Sequence, residues 1–390
     1  MNEKASNSAH AAHAFGLSPD QQQILDEADK WCRKEVHPLA QRMDDEEWWP
    51  EDIFRRIGEQ GYFGITVPEE YGGVGLDFFT SGLVCQAMAR YNYALALSYI
   101  AHENLCLNNI YRNANEDLRR KYLPDLCSGR ATGALGLTEP GAGSDALGSM
   151  RTTAKRDGGH YILNGRKIYI TNGPVADTLL VYAKTAPERG AHGISAFIVQ
   201  KDYPGFSVAQ KLVKMGFRGS QTGELVFDNC RVPRAQVLGE VNRGFYSIMR
   251  NFQNERLVLG AMSVGEAQTA IDQTVAWTKA RKIFGGLLWD KQGVRQQLAL
   301  AQSQVSAARQ LVYHSAWLDA QGRDCVKEVS EVKALCGELV NSVLYTCVQF
   351  HGGMGFVRET AVERMARDVR VQAIGGGASE VMLEEVAKRM

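Results

Sequence analysis

The string Leu137-Thr138-Glu139-Pro140-Gly141-Ala142-Gly143-Ser144-Asp145 has what is needed to hold a flat, bulky ligand. Its glycines let the backbone approach closely, and its hydroxyls and N–H groups can bond a heteroaromatic ring. By composition alone it also reads as a Gly-rich turn between a strand and a hairpin. Four further strings follow. Lys167-Ile168-Tyr169-Ile170-Thr171-Asn172-Gly173 is a strand with a turn. Arg281-Lys282-Ile283-Phe284-Gly285, with Gln292 after it, is a basic helix end, where cations complement the helix dipole. Gln349-Phe350-His351-Gly352-Gly353-Met354-Gly355 is a Gly-rich break between helices. Arg367-Asp368 precedes Ile374-Gly375-Gly376-Gly377-Ala378-Ser379-Glu380. One carboxylate, Glu255, stands in Asn254-Glu255-Arg256-Leu257-Val258-Leu259. An isolated Glu-Arg pair on a helix is by default a solvated surface pair.

The elements that position these strings run helix, strand, helix. Ser18-Pro19-Asp20 is a helix start, a cap residue followed by Pro at the first position. Leu25, Ala28, Trp31, Cys32 and Val36 then recur at helical spacing. A second helix runs from about Pro50 to Gly61, and others fit 78–93, 95–112 and 116–127. Beyond residue 131 the pattern alternates. Met150–Lys155 and His160–Leu163 flank the turn Asp157-Gly158-Gly159, a hairpin signal. Thr178–Ala183, Ile194–Gln200, Phe206–Val213 and Gly223–Phe227 also read as strands. From Gly244 long apolar-striped helices return, over 244–282, 290–320, 326–350 and 379–389, and suggest a four-helix bundle. The expected fold class is α+β: a tail over 1–16, a helical unit over 17–132, a β-unit over 133–240 and a helical bundle over 241–390.

Composition narrows the partners. The 390 residues hold 44 Lys plus Arg against 44 Asp plus Glu, so no basic excess points to nucleic acid. Eight cysteines are scattered with no CxxC spacing, which argues against a zinc site and suits a reducing, cytoplasmic setting. Met1–Phe15 lacks the apolar core of a secretory signal and contains no Arg, and reads as a disordered tail; His10 and His13 there are too few for a metal site. No apolar stretch approaches the length of a membrane span.

The five strings, in this order and spacing, resemble the acyl-CoA dehydrogenase family over about residues 17–390. Within it the chain is most similar to the isovaleryl-CoA dehydrogenase group, through Leu97-Ser98-Tyr99, Ala101–Cys106 and Met215–Ser220. The resemblance implies FAD between the β-unit and the bundle. It assigns flavin contact to Leu135, Leu137, Thr138, Gly143, Ser144, Tyr169, Ile170 and Thr171, and to the final-motif residues Ala378, Ser379 and Glu380. Arg281, Phe284, Gln292, Gln349, Gly352 and Gly353 match positions that reach a neighbouring subunit's FAD, which implies a homotetramer built as a pair of dimers. An electron-transfer flavoprotein is the implied acceptor, in fatty acid or branched-chain amino acid catabolism.

Members of the family oxidise an acyl thioester across Cα–Cβ, a carboxylate taking the α-proton while hydride passes to flavin N5. Most carry that carboxylate just before the final motif, where this chain has Gly376. The isovaleryl group carries it on a bundle helix before Arg-Leu-Val, and Glu255 matches that base. Ser144, Tyr246, Asn254, Arg256, Gly375 and Gly376 match substrate-proximal positions, and the glycines leave room for a branched acyl chain. Tyr169 stands in place of the usual Trp beside the flavin, Asn254 in place of an Asp preceding the base, and Ala378 in place of a Thr. These departures admit rival readings: a carrier-protein-tethered acyl substrate, another acyl chain class, or an oxidase that passes electrons to oxygen. An idle DNA-binding flavoprotein is disfavoured by the zero net charge.

Overall fold

The computed structural model describes residues 16–390; the tail reading, His10 and His13 included, lies outside them apart from Gly16. The first helix, α1 (Pro19–Trp31), starts where Ser18 predicts. Ser18 and Gln21 form a reciprocal capping box that satisfies two otherwise orphaned N–H groups. Short helices α2 (Ala40–Glu46) and α3 (Ile53–Glu59) follow, then α4 (Phe78–Ala89), α5 (Tyr93–Ile100), α6 (Asn108–Asn113) and α7 (Glu116–Cys127). The helix expected over 95–112 is interrupted by a π-turn at Ala101–Leu107. Every residue of α4 is buried, as an all-round apolar helix requires.

The middle of the chain forms one mixed sheet: β1 (Gly133–Gly136), β2 (Thr153–Asp157), β3 (His160–Thr171), β4 (Thr178–Lys184), β5 (Ile194–Gln200), β6 (Phe206–Lys211), β7 (Thr222–Pro233) and β8 (Val237–Leu238). Its order is β6-β7-β3-β2-β4-β5-β8, with β1 alongside β4 in parallel. The β2–β3 hairpin turns at Gly158-Gly159 as expected. Alternate residues of β4 join two different cores. Leu180 and Tyr182 pack with the helices, while Leu179, Val181 and Ala183 pack within the sheet's own core. With both faces covered, β4 and β1 are buried nearly end to end.

A single helix, α8 (Gly244–Ala280), joins the layers. At 37 residues it is roughly 55 Å long. After it come the small hairpin β9 (Lys282–Ile283) and β10 (Gly286–Leu287), then α9 (Gln292–Ala320), α10 (Val326–His351), α11 (Ala361–Val369) and α12 (Ser379–Ala387). Along α8 the stretch Leu257–Ala267 is buried without interruption. Gly260 and Gly265 permit this, since a Cβ there would strike Val332 of α10 and the Gln86 carbonyl of α4. Glu255 and Arg256 therefore stand where α8 passes from a partly exposed stretch into the common core.

Candidate active site

Three groups of predicted residues form in space. The first surrounds the end of β1. Leu135 and Leu137 are buried, whereas Gly143 and Ser144 lie exposed on the loop beyond. A Cβ built on Gly141 or Gly143 would meet nothing within 4 Å, so this backbone is open to a ligand. Ile168 N–H donates to the Thr138 carbonyl at 2.8 Å and lays β3 beside the loop. Tyr169 is 66% exposed with φ of 60°, a left-handed conformation rare for an aromatic residue. Ile170 is buried behind it and Thr171 is half-buried. An open, glycine-bearing backbone edge beside an aromatic ring held out to solvent fits a flat heteroaromatic group such as the FAD ring system.

Beneath this edge lies a pair to which sequence reading gave no role. Lys167 Nζ bonds Glu139 Oε1 at 2.8 Å and the Leu137 carbonyl at 3.0 Å. The Glu139 carboxylate also accepts Arg151 N–H at 2.6 Å and Thr152 N–H at 3.0 Å. Burial pushes Glu139 upward, but Lys167 and these N–H donors outweigh it and hold the carboxyl below its ordinary range. The pair fixes the loop from beneath.

The second group stands at the far end of α8. Arg281 closes the helix with its guanidinium 5.9 Å from the Trp277 ring. Trp277 stacks on His351 at 5.1 Å and donates to the Phe350 carbonyl at 3.2 Å. Through Trp277, the segment of Gln349 and the exposed Gly352 and Gly353 is brought to the end of α8 that Arg281 closes. Phe284, at the hairpin tip, is 95% exposed and left-handed, and Gln292 is exposed at the start of α9.

The third group gathers round Glu255. A Cβ built on Gly376 would lie 3.4 Å from Glu255 Oε1, 3.6 Å from Lys333 Cε and 2.3 Å from Leu259 Cδ1. Gly376 has φ of 66°, so glycine is required both for the backbone and for the space. One built on Gly377 would lie 2.9 Å from Met382 Cε and 3.6 Å from Arg256 Nε, and one on Gly375 would meet only Val371. Burial raises the Glu255 carboxyl above its ordinary range, and the charges of Arg256 and Lys333 only partly offset it. Asn254 points elsewhere: it is buried, with its amide 3.4 Å from the Asn108 side-chain oxygen of α6. Ala378 precedes α12 without a side-chain cap, Ser379 bonds Glu338 at 2.6 Å, and Glu380 is exposed. Sequence reading missed Lys333 and Leu259. The signal for Lys333 is a lone cation within the buried stripe Val329, Val332, Cys336 and Val340 of α10.

Tyr246 lies on the exposed first turns of α8. With Arg189, His192, Val241, Asn242 and Arg243 it lines a cavity of about 340 Å³. The Arg243 guanidinium is 4.2 Å from the Tyr246 ring, and the His192 ring is 6.1 Å from it. All eight cysteines are free and buried. Among the described residues no acidic, His and Cys cluster could hold a metal, and no helix is long and apolar enough to cross a membrane.

Family models match in chain order: the acyl-CoA dehydrogenase N-terminal domain over 18–130, middle domain over 134–230 and C-terminal domain over 242–390. Mitochondrial isovaleryl-CoA dehydrogenase of Pongo abelii is 40% identical over 370 residues, covering 94% of this chain and 87% of that protein. Butyryl-CoA dehydrogenase of Megasphaera elsdenii superposes with a TM-score of 0.93 at 34% identity, covering 96% of this chain and 99% of the other. The FAD complex of PigA superposes equally well, at 0.93 and 28% identity, over 96% and 98% of the two chains. The chain belongs to the acyl-CoA dehydrogenase family and is an FAD-dependent oxidoreductase.

Proposed function

We propose that the enzyme oxidises a short branched-chain acyl-CoA such as isovaleryl-CoA to its trans-2-enoyl thioester, with Glu255 removing the α-proton. The observation that carries this is the meeting of Glu255 with Gly376. The carboxylate enters from α8 at the point where the turn has no side chain. Burial makes Glu255 a stronger base than a solvated carboxylate, because its charged form is disfavoured until it takes the proton. Leu259 and Met382 fill the volume that side chains at Gly376 and Gly377 would take, so a branch beside the reacting carbons would lie against the bare turn and these two apolar side chains. FAD, when bound, accepts the hydride that leaves the β-carbon.

Other features support a CoA thioester. Arg189 and Arg243 offer cations for phosphates, and the Tyr246 and His192 rings offer faces for a base. The close likeness to an isovaleryl-CoA dehydrogenase supports the branched chain. The flavin contacts assigned by resemblance belong to the same reading, as do the three units bounded near 132 and 240, the homotetramer and the cytoplasmic setting. The exposed Arg281, Phe284 and Gln349–Gly353 group would then meet a second subunit's FAD. An electron-transfer flavoprotein would reoxidise the enzyme.

Anaerobic flavin bleaching against a panel of acyl-CoA thioesters tests the reading. Rapid bleaching by isovaleryl-CoA or a close relative, abolished in Glu255→Gln, is the expected result. If no CoA thioester bleaches a fully loaded flavin, the CoA reading fails, and an acyl group tethered to a carrier protein takes its place. Peroxide release without an added acceptor would identify an oxidase instead.

A further inference from the structure

Lys333 is 1% exposed, yet among the described residues no carboxylate lies within ion-pairing distance of its ammonium. A cation in such a place must be compensated by other means. Its Nζ donates to the Gln372 carbonyl at 2.6 Å and to the Gly377 carbonyl at 2.9 Å. These two acceptors bracket the segment that carries Gly375 and Gly376. The ammonium therefore closes the turn as a clasp, drawing both its ends onto α10. Neither carbonyl is free to relax towards water, and the left-handed Gly376 and Gly377 are held where no side chain intrudes on Glu255.

The same geometry places charge. Lys333 Cε and Glu255 Oε1 both lie within 3.6 Å of one point beside Gly376. The two atoms are thus at most about 7 Å apart and the ammonium, one bond beyond Cε, at most about 8.5 Å from the carboxylate oxygen, where opposite charges still interact in a partly buried setting. We infer that Lys333 is a positioning residue for proton abstraction: it clasps the Gly375–Gly377 turn against Glu255 and favours the ionised form of that base. The inference rests on Glu255 being the base.

The other charged and titratable groups facing this pair are few. Arg256 of α8 adjoins Glu255, Cys336 and Glu338 lie near Lys333 on α10, and Glu385 of α12 and Arg389 just beyond it face Arg256. Arg256 also favours an ionised Glu255, so removal of Lys333 weakens the base's support without abolishing it. Burial draws the Lys333 ammonium down to about 8, with Glu255 opposing the fall. At neutral pH the clasp is mostly charged, and it begins to lose its charge in mildly alkaline solution.

The test is the pH dependence of anaerobic flavin reduction in FAD-loaded Lys333→Met and Lys333→Gln, beside wild type and Glu255→Gln. Methionine removes charge and donors; glutamine removes the charge and keeps a donor. Both variants should shift the acid limb of the reduction rate to higher pH by about one unit, as expected when a nearby opposite charge is lost. The methionine variant should also be slower at its own plateau. An unmoved acid limb in a variant that retains FAD would overturn the inference, and so would loss of FAD or of the folding transition in both variants, since Lys333 would then be only structural. If Glu255→Gln keeps the wild-type rate, the base assignment itself has failed, a result separable from an unmoved limb with an inactive Glu255→Gln.

Discussion

Two buried lysines show how one residue type serves two ends of the site. Lys167, beneath the proposed flavin edge, meets Glu139 at 2.8 Å, and that carboxylate accepts two backbone N–H groups as well. The charge is neutralised and every partner is fixed. Lys333, beneath the glycine turn, spends its hydrogen bonds on carbonyls and leaves Glu255 within electrostatic reach but unbonded. The carboxyls respond in opposite directions, Glu139 held low and Glu255 raised by burial. A saturated carboxylate is a poor base and a good strut. An unsaturated one is costly to keep and ready to take a proton.

The comparison breaks first if Glu255 is not the reactive member. Glu255→Gln should slow anaerobic flavin reduction by about 10²–10⁴-fold, the usual worth of a positioned general base, with FAD content unchanged. In the wild type, the rate should rise with pH through a value above that of an ordinary glutamate, since only the ionised form accepts the proton and burial raises its pKa. Stopped-flow bleaching between pH 5 and pH 9 reads both. Glu139→Gln should leave that acid limb where it is.

Next comes the strut. Lys167→Met would strand the Glu139 carboxylate, which is only 5% exposed. Leaving one partner of a buried pair uncompensated costs about 3–5 kcal/mol. Urea unfolding of the FAD-loaded protein should show this loss, together with weaker flavin retention, because the loop carrying Gly143 and Ser144 loses its anchor. A stable, fully loaded Lys167→Met would mean that the strut is dispensable and the contrast between the lysines false.

A smaller effect is expected at Gly376→Ala. The methyl group would meet Leu259 Cδ1 at 2.3 Å on a left-handed backbone. Strain of about 1–2 kcal/mol is expected from the backbone alone, and Leu259 must shift as well. Thermal melting should fall accordingly. Because the methyl also occupies the space beside Glu255, bleaching by isovaleryl-CoA should slow more than bleaching by straight-chain butyryl-CoA. Equal slowing would show that the branch does not lie against this turn.

The sequence carried these elements unevenly. Local signals were sufficient where the physics is local: the helix start at Ser18, the Gly158-Gly159 hairpin, β5 over Ile194–Gln200 and α7 over Glu116–Cys127 all stand where patterning puts them. β1 was foreseen only as a strand without bounds before the glycine string, because a short strand buried throughout does not alternate. α11 was also not foreseen, although Ala361–Val369 is amphipathic. Within the site, Glu255 and the glycine turn were legible only through family resemblance, since a Glu-Arg pair and a glycine run carry no role of their own. For Lys333 the apolar stripe around it signals only a buried cation; its partners lie 39 and 44 residues downstream, and no local pattern encodes that meeting.

A third buried carboxyl sharpens the series by having no lysine at all. Glu266 is fully buried in the middle of α8, and neither of its oxygens has a hydrogen-bond partner. Burial raises its pKa well above the ordinary value, and Asp368 adds to the rise. A group whose folded pKa is raised favours the fold while protonated, and that support is lost as pH climbs from its ordinary value through its folded one. Glu266→Gln keeps the shape and stays neutral at every pH, so its stability advantage over wild type should grow with pH. The gain, read from urea unfolding at several pH values, should be small in acid and widen steadily towards pH 8. Some pH dependence should survive in the variant, because Asp368 is itself raised by burial to about 7. Parallel curves for the two proteins would mean that Glu266 has found a partner or a water path. The ordering of the three carboxyls by their compensation would then fail at its uncompensated end.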